Sequence, residues 1–319
     1  MYDTIKMHLN PLYFERGYLG ALPTYLDEIE KDCTNNESGE REIKGKINSI
    51  KVTAKNYTRI TIEGSLPKYL HGNNMTELDR AEVEQVINEL SERLHIPLEH
   101  AKVSRIDIGA NIEVTNPVEF YYPYLGTIPK WYRSIWNAPT PTLYIHSTPK
   151  ADRQVLTFYD KLAEVADIDK QPYKGKNVVR YELRYLQRPQ TYFKQQVTGA
   201  VLYDADFYNG IVDRWGQMYS RIIKNKDIKE INKMEVLIKT KPQNALRLIA
   251  FINTYYGGLT QYIECLGVAF KEGKISKQKK NYLKTQAQNA FKNKSLFIDN
   301  PLIDELTKKI ADRAEQEKG

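Results

Sequence analysis

The chain has 319 residues, enough for one large domain or two of ordinary size, either with a real core. Hydrophobic residues make up 41% and charged residues 27%, a globular balance that excludes a disordered chain. Lys and Arg total 47 against 40 Asp and Glu; the net charge of +7 suits a polyanionic partner, nucleic acid or an acidic membrane surface. Two cysteines, Cys33 and Cys265, stand far apart and form neither a metal spacing nor a disulfide framework, so a reducing cytoplasm is expected. No signal-peptide pattern opens the chain and no apolar run matches a bilayer span, so a soluble protein with no membrane partner is expected.

Residues 2–9 alternate, with Ile5, Met7 and Leu9 apolar between Thr4, Lys6 and His8, and read as a first strand. Residues 30–44 read as a charged, turn-rich connection. Strands are expected at 46–54, with Ile50, Val52 and Ala54 apolar, and at 58–64, where Ile60 and Ile62 oppose Arg59, Thr61 and Glu63. Residues 65–74 read as an irregular loop. Thr76 is the expected N-cap of a helix over 77–95, with Asp79 three residues on. Its apolar face is Leu78, Val83, Val86, Ile87, Leu90 and Leu94, and Pro97 lies beyond its end.

Residues 103–114 are the cleanest strand, with Ile106, Ile108, Ala110 and Ile112 on one face and Arg105, Asp107, Asn111 and Glu113 on the other. An aromatic, Pro-broken region (117–141) leads to a strand in which Leu143 and Ile145 alternate with Tyr144 and His146. Two strands follow in the stretch 153–186. Alternation places Thr157, Tyr159 and Lys161 on one face of the first, and Arg180, Glu182 and Arg184 on one face of the second. An acid between two arginines beside a strand presenting Tyr and Lys has the look of a phosphate site. Beyond about 189, helical periodicity holds at 189–197, 205–224, 242–266, 276–291 and 301–316.

One apolar face and one ionisable face recur from strand to strand, and a one-residue slip would bury every charge, so register is strongly fixed. The expected fold is α+β, a mostly antiparallel sheet with helices on its apolar face and an open polar face, followed by an all-helical C-terminal part. The expected division is a catalytic domain over 1–197 and a helical domain over 198–319 with a DNA-binding or accessory role.

Asp107 and Glu182, on polar faces of separate strands, are placed to hold Mg²⁺ or Mn²⁺ through carboxylate oxygens. The plainer reading of Arg105, Asp107, Arg180 and Glu182 is an ion-pair ladder with no ligand. Tyr159 is a candidate nucleophile, its phenol attacking a phosphodiester with Lys161 as the nearby cation. Against this stand 23 tyrosines, most of which serve packing. His146 is a candidate ligand or proton carrier, although none of the five histidines forms a metal-binding pair. His71, with Gly72 and Asn74, reads as a phosphate-cradling loop or as an ordinary turn. Lysines at 271–284, Lys277 and Lys280 among them, read as a nucleic-acid track or a solvated helix face.

Four blocks together resemble the replication initiators of filamentous phages, the gene II type, and related phage and plasmid rolling-circle proteins. They are Ser65-x-x-Lys68-x-Leu70-x-Gly72-x-Asn74, Ser104-Arg105-Ile106-Asp107, Tyr159-x-Lys161-x-x-Glu164 and Val179-Arg180-x-Glu182. The resemblance covers roughly residues 1–195. It implies a metal-dependent, site-specific endonuclease that nicks one strand at a replication origin, stays on the 5′ phosphate through a tyrosine, leaves a 3′-OH primer and later rejoins the strand. Its partners would be origin DNA, single-stranded at the nick, and the host replication machinery, in the cytoplasm of a bacterial cell. By this match Tyr159 is the nucleophile, Lys161 its neighbour, and Asp107 and Glu182 the acidic positions. The His-hydrophobic-His motif of many rolling-circle initiators is missing, which leaves Glu63, Glu164 and His146 for the third metal position. Arg105, Arg180 and Arg184 are the expected phosphate binders, with Lys68, His71 and Asn74 beside them. A non-catalytic origin-binding protein and a water-using metal nuclease are the competing readings.

Overall fold

In the computed structural model, the structure describes residues 1–15, 17–56, 58–137, 139–147, 154–165, 173–225, 227–228, 240–292, 297–298 and 300–318. Ten strands form one sheet: β1 (Tyr2–Leu9), β2 (Glu28–Thr34), β3 (Arg41–Ile47), β4 (Ile50–Lys55), β5 (Arg59–Ser65), β6 (Lys102–Val114), β7 (Tyr132–Trp136), β8 (Thr142–His146), β9 (Gln154–Asp160) and β10 (Asn177–Tyr185). Their order is β2-β3-β4-β5-β1-β6-β10-β9-β8-β7, and every pairing is antiparallel.

The apolar face is a continuous core. Helices Arg80–Leu94, Ala205–Ser220 and Pro301–Gln316 lay their apolar stripes on it, so two helices beyond residue 197 complete the same core as the sheet. Behind the middle of the sheet, Phe158 stacks on Tyr181 at 4.6 Å, and Tyr181 lies 4.8 Å from Trp215. Tyr181 and Trp215 each donate to the other's backbone carbonyl, at 3.0 and 3.3 Å, which satisfies both polar tips inside the core. Helices Thr240–Tyr256, Leu259–Lys271 and Lys277–Lys292 pack on one another around Ile252, Tyr262, Leu266 and Ala287. Among the described residues, no helix is long and apolar enough to cross a membrane.

Several local expectations are corrected. The connection expected at 30–44 holds β2 and the start of β3; β2 is exposed along its whole length, so no alternation of apolar residues marked it. The single strand expected at 46–54 is split by a turn in which Asn48 takes φ 51°. The loop at 65–74 contains helix Leu66–His71, whose N-cap Ser65 accepts from Lys68 N, with Pro67 in the first turn and Gly72 (φ 75°) closing the end. The long helix starts later than expected: Asp79, not Thr76, is its N-cap, in a capping box with Glu82. β7 lies inside the Pro-broken region, and the helix expected over 242–266 is cut at Gly257-Gly258.

Candidate active site

Register sets out the polar face as a grid. Thr142, Tyr159, Arg180 and Asn111 stand abreast on β8, β9, β10 and β6. The next rank is Tyr144, Thr157, Glu182 and Gly109, and the one after it His146, Val155, Arg184 and Asp107. Arg105, two residues from Asp107, pairs in register with Lys6, and Lys6 with Glu63. Residues far apart in the chain therefore meet because antiparallel pairing leaves them no freedom of position.

At the centre, Tyr159 donates its hydroxyl proton to Glu182 Oε1 at 2.9 Å. The same oxygen accepts from Arg180 Nε at 3.2 Å, while Glu182 Oε2 accepts from Arg184 Nε at 2.7 Å and from Arg184 Nη2. Arg105 grips Asp107 with two parallel bonds, 3.0 and 2.6 Å, and reaches Glu63 at 3.4 Å. Arg184 bridges the two acids, its Nε lying 3.9 Å from Asp107 Oδ2. Lys161 donates to Asn74 Oδ1 at 2.9 Å and to Glu164 Oε2 at 2.7 Å, with its ammonium 5.8 Å from the centre of the Tyr159 ring. It opens helix Lys161–Glu164, since Asp160 caps the chain there and ends the strand before it.

The middle of this face is not wet. Lys161, Arg180, Glu182 and Asp107 are at most 4% exposed, and Tyr159 is 8% exposed. Their charges are tolerated because each is paired and hydrogen-bonded. Burial raises the Tyr159 phenol far above its ordinary range, and the neighbouring Glu182 charge adds to it. For Glu182, burial pulls upward, but the Arg184 and Arg180 charges outweigh it and hold the carboxyl at about 2. Asp107 goes the other way: burial lifts it to about 6 against the downward pull of Arg105 and Arg184. Burial lowers the Lys161 ammonium, with Glu164 opposing.

The remaining sequence candidates are dispersed. Glu63 is held by Lys6 at 2.8 Å, and Glu164 by Lys161. His146 stacks on Tyr132 at 5.8 Å, two strands away from Glu182. His71 meets Glu82 at 3.3 Å, and Lys68 is exposed on helix Leu66–His71. Lys277 and Lys280 lie on helix Lys277–Lys292, where Lys280 covers the Phe270 ring at 5.0 Å. Among the described residues, no three of His, Cys, Asp and Glu come together as metal ligands. In the arrangement seen the acids do not fit a divalent cation, because all four oxygens of Asp107 and Glu182 already accept from arginine or tyrosine.

Sequence reasoning missed three members. Asp3 accepts from Arg180 Nη2 at 3.1 Å, although alternation assigns it to the apolar face; a register shift between Tyr2 and Ile5 turns it over. A lone Asp in step with the apolar Ile5, Met7 and Leu9 was the available signal. Glu77, in the segment before the long helix, lies 3.7 Å from Arg180 Nη1 and carried no signal. Gly109 faces Glu182 directly. A Cβ there would sit 2.7 Å from Glu182 Cγ and 2.7 Å from the Tyr181 carbonyl oxygen, so the missing side chain makes room for the acid.

Packing and burial at this face have measurable consequences. Gly109→Ala should cost about 1–3 kcal/mol by overpacking and push Glu182 away from Tyr159, read as a lower denaturation midpoint. Asp107 favours its neutral form in the fold, because its folded pKa lies above the unfolded value. That contribution is complete below about 3.8 and lost as pH rises through about 6. Asp107→Asn should therefore gain about 1–3 kcal/mol over the parent at pH 7 and little at pH 4. Unfolding curves at the two pH values check it.

Searched against curated proteins, the chain finds no significant match. The family model that describes the N-terminal part of the phage replication-associated protein of gene II type matches residues 19–204, which is more than half of the chain and includes Tyr159, Asp107 and Glu182. The chain belongs to that family of phage replication-associated proteins, and its role is that of a DNA-binding rolling-circle replication initiator.

Proposed function

We propose that this initiator is a strand-nicking and strand-joining enzyme in which Tyr159 attacks a DNA phosphate. The observation that carries the reading is the Tyr159–Glu182 hydrogen bond at 2.9 Å, a phenol aimed at a carboxylate inside a ring of arginines. Attack forms a bond from the phenol oxygen to phosphorus, breaks the bond to the 3′ oxygen, and leaves the 5′ phosphate on the protein. The phenol proton passes to Glu182 Oε1. The departing 3′ oxygen takes a proton from Asp107, whose position near 6 makes it the better donor of the two acids. Rejoining is the same step in reverse.

A free phenolate does not form beforehand, since the phenol is held far up and Glu182 far down. Substrate supplies the missing push. Arg184 and Arg105, each with 27% of the side chain exposed, are the arginines a phosphate can reach; Arg180, at 1%, is a positioning residue. A phosphate drawing Arg184 towards itself loosens the arginine's hold on Glu182 and raises the carboxylate's basicity as the nucleophile is needed. The same arginines would stabilise the charge that develops on the phosphate. No step here passes through Mg²⁺ or Mn²⁺. An ion entering the site has to displace Arg105 or Arg184 from the acids, and running the reaction with each cation and with chelator tests that entry.

Incubation with labelled origin DNA, followed by a denaturing gel, tests the proposal. A nicked strand carrying protein at its 5′ end is expected. Nicks without attached protein point to water as nucleophile, and salt-sensitive binding without nicks to an origin-binding protein alone.

A further inference from the structure

A second site lies at the β7 end of the sheet. Helix Thr240–Tyr256 stops at Gly257 (φ 69°) and Gly258 (φ 126°), conformations that favour glycine. Asn225 donates to both Gly257 O (3.1 Å) and Pro123 O (2.7 Å), and a Cβ on Gly258 would meet Asn225 Oδ1 at 2.7 Å. This clamp ties the helix end to the short turn Tyr122–Tyr124, and beside it lies a cavity of about 600 Å³, lined in part by Tyr122, Arg133, Asn253, Tyr255, Tyr256 and Gln261.

Three features of this cavity ask for an occupant. Asn253 Oδ1 and Gln261 Nε2 are buried without a hydrogen-bond partner among the described residues, one an acceptor and the other a donor. Buried polar atoms are nearly always paired, so two orphans on residues that line the same cavity mark side chains that gain a partner by turning towards a ligand bearing a donor and an acceptor. Tyr255 is 73% exposed although it lines the cavity, a large ring held out in water. Arg133 donates to the Leu125 and Tyr122 carbonyls at 2.8 Å each and forms no ion pair among the described residues. Glu119 on the lining disfavours a phosphate inside, so a flat, uncharged ring fits better than an anion.

We propose that the cavity binds one unstacked base of single-stranded DNA, with tyrosine rings against its face and Asn253 and Gln261 on its edge. The proposal rests on the DNA substrate of the reading above and extends it to separate ground. Arg133 and Ile135 stand opposite Ile145 and Leu143 on the apolar face, whereas Tyr159 lies on the polar one. Base stacking on aromatic side chains tolerates any sequence, which suits capture of a displaced strand.

The test measures binding in chelator, without cleavage, using a short single-stranded oligonucleotide carrying one 5-iodouracil. Irradiation and peptide mapping are expected to place the crosslink on Tyr255 or Tyr256. Tyr255→Ala should weaken binding about tenfold and Tyr255→Phe much less, since the ring is what stacks. Replacing Asn253 and Gln261 together by Leu should raise the thermal midpoint of the free protein yet weaken binding, a combination that a purely structural role would not give. Parent-like affinity of Tyr255→Ala, or equal affinity for an oligonucleotide of abasic sugars, overturns the proposal. Because cleavage plays no part, loss of the crosslink sinks this site alone, and loss of the covalent adduct sinks the nicking reading alone.

Discussion

Tyr159→Phe is expected to abolish the covalent protein–DNA product while the protein stays folded and binds DNA with parent-like affinity. The change removes one oxygen from a ring that is otherwise packed, with 8% of the residue exposed. It deletes a single hydrogen bond, and Glu182 Oε1 keeps its bond from Arg180, so the stability cost should stay near 0.5–1.5 kcal/mol, about that of an ordinary hydrogen bond. The chemical cost is of another order. With the attacking atom gone, adduct formation should fall by at least about three orders of magnitude, as for other enzymes stripped of a nucleophile. A time course of 5′-labelled DNA on a denaturing gel reads the rate, and a denaturation curve reads the fold. An adduct forming at the parent rate would move the nucleophile to another tyrosine, and nicks without any adduct in the parent protein would leave Tyr159 a structural residue.

The sheet was legible in the sequence wherever one face of a strand is apolar, because alternation then has something to report. β6 and β10 were read almost to their ends, and Asp107, Glu182, Arg180 and Tyr159 were correctly assigned to one face. β2 escaped because neither of its faces is buried, and the helix Leu66–His71 escaped although its Ser cap, first-turn Pro and closing Gly were all in view. Pairing between strands is not a local property. Nothing near Glu182 announces that it will face Gly109, or that Asp3 and Glu77 will arrive from other elements to surround Arg180. The two readings left open for Arg105, Asp107, Arg180 and Glu182, metal site or ion-pair ladder, differ in geometry alone. The bonds seen are those of the ladder, with Tyr159 added to it.

That ladder makes Arg180 the residue whose loss should harm the fold most. Its guanidinium is 1% exposed and touches Asp3 at 3.1 Å, Glu182 at 3.2 Å and Asn111 at 3.3 Å, with Glu77 at 3.7 Å. Arg180→Met fills much of the volume but leaves three carboxylates facing one another with one cation fewer. Breaking a buried pair from one side typically costs about 3–5 kcal/mol, here a fall in thermal midpoint of roughly 10 °C. Electrostatics also fixes how that loss varies with pH. In the parent, Glu182 sits below the ordinary carboxylate value, so its contribution to stability is complete above about 4.5 and is lost as pH falls towards about 2. Without Arg180 the carboxyl moves up, and that contribution is already missing at pH 7. The gap between parent and variant should therefore be widest near neutrality and shrink as pH drops from about 5 to 2. Arg180→Lys, which keeps the charge but not the three-way fork, should fall between the two. A gap that is flat across this range would assign the loss to packing and remove the charge-based account of how Glu182 is held against Tyr159.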